Sequence, residues 1–200
     1  MIDTKEKILQ AALRLFAKDG YEAVSVSMIA SKLGITKGAL YKHYKNKRDI
    51  FDSILERMSK NDYERAKEYE MPEEPIDKGK EPYQSTTPEE IAVYSKAQFR
   101  YWTQDEFSSD FRKMLTLEQY RSPEMSALYQ QYLAGGPLNY MADIFAQMLG
   151  SRQDAMQTAL DFYGPMFILY SVYDAAENKS EIIALADRHI DGFISKLNKQ

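Results

Sequence analysis

At 200 residues, 44% hydrophobic and 28% charged, the chain is long and apolar enough for one large domain, or a small domain joined to a medium one. It has no cysteine, which excludes disulfides and thiolate metal sites, and it has only two histidines. The formal net charge of −4 is unevenly spread: residues 1–50 hold ten Lys and Arg against five Asp and Glu, and the other 150 hold 16 against 25. A basic first quarter on an acidic chain points to a polyanionic partner for that quarter alone. The opening MIDTKEKILQ is charged almost at once, and no apolar run reaches membrane-spanning length. Neither a secretory signal nor a membrane anchor is therefore expected, and a reducing cytoplasm fits the missing cysteines.

Apolar residues recur at spacings of three and four, with no strand-like alternation, so an all-α fold is expected. The first helix runs from Thr4, with Ile8, Leu9, Ala12, Leu15 and Phe16 on one face and Gly20 ending it. The second is capped by Ser25, buries Val26, Ile29, Ala30 and Leu33, and stops at Gly34. The third, short helix is capped by Thr36 and runs to Tyr44. After a break at Lys45–Asn46, a long helix starts near Lys47 and reaches about Glu70. The proline-rich stretch 71–87 reads as a loop or linker.

Helix resumes at Pro88, with Thr87 as cap, and continues to Glu106. Further helices are expected over Ser109–Tyr120, Glu124–Leu133 and Pro137–Leu149, the last preceded by a boundary at Gly135–Gly136–Pro137. Two more cover Gln153–Ala176, which Gly164–Pro165 should kink, and Ser180–Leu197.

Two short helices joined by a glycine-containing turn, Ser25–Gly34 and Thr36–Tyr44, have the dimensions of a helix-turn-helix. In that motif the second helix enters the major groove and its N-terminal residues meet base edges. The basic stretch Ile35–Phe51 fits this role. Gly38 lets backbone approach a duplex, and Tyr41 and His43 can donate to phosphates. Lys42 can reach a base or a phosphate, and Lys47 can clamp the DNA backbone from the next helix.

The stretch VSMIASKLGITKGALYKHYKNKRDIF resembles the signature of the TetR (tetracycline-repressor-like) transcriptional regulators. The likeness lies in Ser25, Ile29–Ala30, Gly34–Ile35–Thr36, Lys37–Gly38–Ala39–Leu40–Tyr41, His43–Tyr44 and Lys47. It covers about residues 4–55. The chain departs from the pattern at Ser27, where a long polar residue is common, at Ala39, where a hydroxyl or amide is common, and at Tyr44, where Phe is usual. The resemblance implies a DNA-facing set of Ser25, Ser27, Thr36, Lys37, Gly38, Ala39, Tyr41, Lys42, His43 and Lys47. It also implies a DNA-binding domain of three helices over residues 1–48. A helical bundle over 49–200 would serve dimerisation and effector binding.

Within that second domain, Tyr163, Phe167, Ile182, Ala186, His189, Ile190, Phe193 and Leu197 are the candidate dimer interface on the last two helices. Phe99, Trp102, Phe107, Phe111, Met114, Tyr120 and Tyr170 are candidate linings for an apolar or aromatic effector. The function expected is a homodimeric, sequence-specific regulator that binds a palindromic double-stranded operator. It would most simply be a repressor released by a small molecule. An activator, or a protein that needs its ligand to bind DNA, would use the same scaffold. A module that binds only protein leaves the Lys37–Lys47 pattern unused. No enzyme, metal site or cofactor is expected, because there is no cysteine or phosphate loop and His189 lies on an apolar helix face.

Overall fold

The computed structural model describes residues 3–72, 86–149 and 152–198. Among the described residues there is no strand, and the helices are α1 (Thr4–Asp19), α2 (Val26–Lys32), α3 (Lys37–Tyr41), α4 (Lys47–Glu68), α5 (Pro88–Gln104), α6 (Glu106–Glu118), α7 (Pro123–Leu133), α8 (Gly135–Leu149), α9 (Arg152–Ala175) and α10 (Lys179–Leu197). The chain divides into two compact units, Met1–Asp62 with Glu106–Tyr129, and Tyr63–Asp105 with Gln130–Gln200. These packing units differ from a division at 48/49. The first takes in the start of α4 and all of α6, because α1 packs on α6. Most of the expected linker at 71–87 lies outside the described residues.

In the first unit, Ile8, Ala12 and Phe16 of α1 are fully buried as their spacing predicts, whereas Leu15 is only half-buried and Leu13 takes a core place. The reason is α6, which covers a second face of α1 that its own apolar stripe does not mark. Ile29, Leu40, Ile50, Phe51, Ile54 and Met58 complete this core, all essentially without exposure. Removing a ring such as Phe16 would cost about 3–5 kcal/mol.

α3 is shorter than expected and ends at Tyr41. Tyr44 leaves the helix to bury its ring, and its hydroxyl donates to the Lys5 carbonyl at 3.3 Å. Burial first, and then the Glu6 charge, push that phenol up to about 12. The next helix starts cleanly because Asn46 Oδ1 accepts the Asp49 N–H at 2.9 Å while Asp49 Oδ2 accepts the Lys45 N–H at 2.8 Å. α4 ends without glycine. Glu70 takes φ 54°, and the Met71 N–H reaches back to the Ala66 carbonyl at 2.9 Å.

In the second unit α8 packs on α9, and α10 lies against both α5 and α9. Phe162 meets Phe193 at 4.9 Å and Phe145 at 5.7 Å between ring centroids. Arg100 and Asp187 form a two-pronged pair at 2.8 and 2.6 Å between α5 and α10, with Lys96–Asp191 beside it at 2.6 Å. α5 opens with a full capping box between Thr87 and Glu90 and carries Pro88 at its start, as its sequence predicts.

Two boundaries fall elsewhere than expected. The helix from Pro88 stops at Gln104, because Asp105 is extended at φ −71° and ψ 124°, so Phe107 and Ser108 belong to α6. Gly135 and Gly136 do not separate helices; they open α8. A Cβ on Gly136 would lie 2.0 Å from the Gln131 carbonyl oxygen, so glycine is there for a close backbone approach. α9 runs unbroken through Pro165.

Candidate nucleic-acid interface

The helix-turn-helix is built from local hydrogen bonds that its residue types demand. Ser25 Oγ accepts the Met28 N–H at 3.3 Å and caps α2; Thr36 Oγ1 accepts the Ala39 N–H at 3.1 Å and caps α3. Between them Gly34 sits at φ 65°. The Ile35 N–H returns to the Ala30 carbonyl at 3.0 Å and the Gly34 N–H to Ser31 at 3.1 Å, a Schellman closure that needs a left-handed residue. Leu40 and Ile29, both fully buried, hold the pair onto the rest of the unit.

This leaves one face of α3 bare. Lys37, Gly38, Tyr41 and Lys42 are exposed, Tyr41 at 50%, while Ala39 and His43 are half-buried. Ser25 and Thr36 are exposed with their hydroxyls committed to the caps, and Ser27 is half-buried. Nine of the ten expected residues thus fall on α2, α3 and their flanking turns. Met28, which sequence reasoning missed, is 41% exposed and lines an open groove with Leu15, Ser27, Ser31 and Lys32. Its apolar character on a helix with a core face concealed it.

Lys47, expected to clamp the DNA backbone, also has partners within the chain. Its ammonium donates to the Tyr21 carbonyl at 2.8 Å and the Glu22 carbonyl at 3.4 Å, and lies 4.2 Å from the Tyr21 ring centroid. It braces the α1–α2 turn. The same turn is held from α6, where Glu118, 3% exposed, accepts the Tyr21 N–H at 3.1 Å. One residue on, Arg48 makes a bidentate pair with Glu124 at 2.9 and 2.7 Å and a further bond to Asp52 at 2.7 Å. Hydrogen bonding to Arg48 holds the Glu124 carboxyl below the ordinary glutamate range.

The other expected sets are rearranged. Of the proposed effector linings, Phe107, Phe111 and Met114 are buried in the first unit, and Phe99, Trp102 and Tyr170 in the second. Phe99 and Tyr170 stack at 5.3 Å. Tyr120, just beyond the end of α6, is 90% exposed. Of the proposed dimer residues, Ala186 and Ile190 are fully buried within the one chain, where α10 packs on α5 and α9. Phe193 packs on Phe162, and His189 Nε2 lies 2.8 Å from the Phe162 carbonyl. Tyr163 is half-buried and donates to the Leu133 carbonyl at 2.8 Å; Ile182 and Leu197 are half-buried. Phe167 is exposed, together with Leu160, Ile168 and Val172 of α9 and Leu185 of α10.

Comparison with known proteins converges on this N-terminal region. Residues 8–54 match the family model of the bacterial regulatory proteins, tetR family. The HTH-type transcriptional regulator AcrR of Shigella flexneri is 40% identical over 76 residues, which is 37% of this chain and 35% of AcrR. The chain thus matches about a third of that curated relative's length. A TetR-family transcriptional regulator from Bordetella parapertussis shares the fold with a TM-score of 0.68 at 20% identity, over 96% of this chain and 95% of that one. The transcriptional regulator FadR from Bacillus subtilis, solved in complex with stearoyl-CoA, shares it with a TM-score of 0.63 at 22% identity, over 94% and 97%. Capped helices, Schellman turn and bare basic face lie inside residues 8–54, the segment that matches the bacterial regulatory proteins, tetR family.

Proposed function

We propose that the chain is a homodimeric, sequence-specific DNA-binding regulator. It acts as a repressor that a small-molecule effector releases from a palindromic operator. The observation that carries this is Gly38. It is exposed, its φ is ordinary, and a Cβ there would meet only Thr36 Oγ1 at 3.8 Å. Among the described residues nothing requires a glycine there, although glycine in a helix costs about 1 kcal/mol relative to alanine. A missing side chain between Lys37 and Tyr41 serves something that approaches from outside, and a phosphate backbone meeting a helix N-terminus is what the flanking lysines favour. Lys37, Tyr41 and Lys42 supply the outward donors, and Ala39 offers a methyl to a thymine.

Dimerisation is assigned to the outer face of α9. Leu160, Phe167, Ile168 and Val172 repeat at helical spacing and are exposed, while Phe162, Met166 and Leu169 of the same helix are buried. A helix apolar all round needs cover on both sides. Gly164, on the exposed stripe, has open space where a Cβ would be, and a second helix can come close there. Such a pairing presents two α3 helices to two half-sites. FadR from Bacillus subtilis, solved in complex with stearoyl-CoA, supports a small-molecule ligand in a protein of this fold. The protein is taken as non-catalytic and cytoplasmic; no helix among the described residues is long and apolar enough to cross a membrane.

Fluorescence anisotropy with DNA flanking the protein's own gene, at two salt concentrations and with excess unrelated duplex, tests this function. Binding that survives the competitor, falls steeply with salt and maps to an inverted repeat is expected. Absence of binding to any duplex at low salt overturns it.

A further inference from the structure

The C-terminal half of α4 places Arg65 and Tyr69 four residues apart, and α5 places Tyr94, Gln98 and Tyr101 at steps of four and three. All five lie in the second compact unit and meet there. Arg65 Nε donates to Gln98 Oε1 at 3.0 Å, and Gln98 Nε2 donates to the Tyr94 hydroxyl at 2.8 Å. The Tyr94 ring meets Tyr69 edge-on at 5.9 Å. The guanidinium carbon sits 4.2 Å from the Tyr101 ring centroid and 5.6 Å from that of Tyr69. Arg65 is thus oriented by an amide on one edge and by aromatic faces around it.

One feature of this arginine is unmet. Its Nη2 is shut off from solvent and has no hydrogen-bond partner. A buried donor on a charged group left unbonded is destabilising. Arg14, Arg48, Arg57 and Arg100 each face a carboxylate of their own chain. Arg65 forms no ion pair among the described residues, and its polar neighbour is a neutral amide. A glutamate at position 98 would have neutralised the charge; glutamine orients the fork and leaves the charge for another partner.

We propose that Arg65, Tyr69, Tyr94, Gln98 and Tyr101 form a binding site for a small aromatic carboxylic acid, the ligand class of the effector in the function proposed above. The carboxylate pairs with the free edge of the Arg65 guanidinium, and the ring of the acid packs among the tyrosines. A single arginine beside two phenol rings, with a third ring behind Tyr69, suits a monoanion with an apolar body. A phosphate or polyanion would call for several cations.

The test is calorimetric titration of the full-length protein with 2-naphthoate and with its neutral counterpart 2-naphthamide. The acid should bind at least about tenfold more tightly than the amide, and Arg65→Lys should lose about tenfold of that, because lysine cannot make the two-pronged pair. Gln98→Glu, which adds one charge and almost no volume, should abolish acid binding. Equal affinity for acid and amide, no acid binding up to about 5 mM, or an unchanged acid affinity in Gln98→Glu would each overturn the site. DNA anisotropy run beside the calorimetry separates the two conclusions. Specific DNA binding without acid binding removes this site and leaves the regulator. Acid binding lost in Gln98→Glu, with no effect on DNA binding, keeps the site and removes its role as the releasing signal.

Discussion

Glu118 and Tyr21 are joined by a 3.1 Å bond from the Tyr21 backbone N–H to a carboxylate that is 3% exposed. The bond links the end of α6 to the turn that precedes the reading helices. Gly20 is required beside it: at φ 85°, with a Cβ position only 2.6 Å from Glu118 Oε1, no other residue fits without displacing the acid. Glu118→Ala should therefore lower stability by about 1–3 kcal/mol in urea titration, since it strands the Tyr21 N–H, and Glu118→Gln, which keeps an acceptor, should lose less. Equal losses for the two would mean that the carboxylate charge, and not the acceptor, matters.

Gly34 and Gly38 separate folding from function. Gly34 sits at φ 65° with open space around it, so Gly34→Ala should cost about 1 kcal/mol of stability through backbone strain alone. Gly38→Ala should leave stability unchanged or raise it by about 1 kcal/mol, and should weaken operator binding. A Gly38→Ala protein with full DNA affinity would remove the main support for the groove-facing role of α3.

Tyr41 and Lys42 are exposed and bear no load in the fold. Tyr41→Phe and Lys42→Ala should leave thermal melting unchanged. If Lys42 meets a phosphate, its loss should weaken binding to all sequences and lower the salt slope by about one. If it meets a base, binding should weaken by about 1–3 kcal/mol at one operator position only. Unchanged affinity in both variants would refute the assigned interface.

Ile168 is 64% exposed at the centre of the α9 stripe. Ile168→Lys should convert a dimer into a monomer in sedimentation velocity without unfolding it, and operator binding should fall with it, since each protomer reads one half-site. A dimer that survives this change places the interface elsewhere.

Glu124, held below its usual range by hydrogen bonds from Arg48, gives a pH signature. A carboxyl with a depressed folded value contributes stability above the unfolded value and loses it as pH falls through the folded one. The difference in melting temperature between the parent and Glu124→Gln should be fully present above the ordinary glutamate range and shrink as pH falls through and below that range. The effect should be small, because both side chains are about half exposed.

Much of this molecule is written in local chemistry. Ser25, Gly34 and Thr36 announce a capped helix, a left-handed turn and a second capped helix because each uses only bonds within a few residues of itself, and the structure forms those bonds. The exposure of Lys37, Tyr41 and Lys42 follows from the same periodicity. Long-range packing decided the rest. Leu13 is core because α6 covers α1, and α3 ends early because Tyr44 is drawn beneath α1. Ala186 and Ile190 look like an interface stripe from their spacing, but α5, some ninety residues earlier in the chain, covers them. The exposed stripe belongs to α9, whose two apolar faces look alike until a neighbour buries one of them. Lys47 and Arg65 make the same point with charge: a cation's type is visible in a sequence, but its partner, a pair of carbonyls for one and an amide with aromatic rings for the other, exists only after distant helices meet. Periodicity tells which residues share a face; only tertiary contact tells what that face touches.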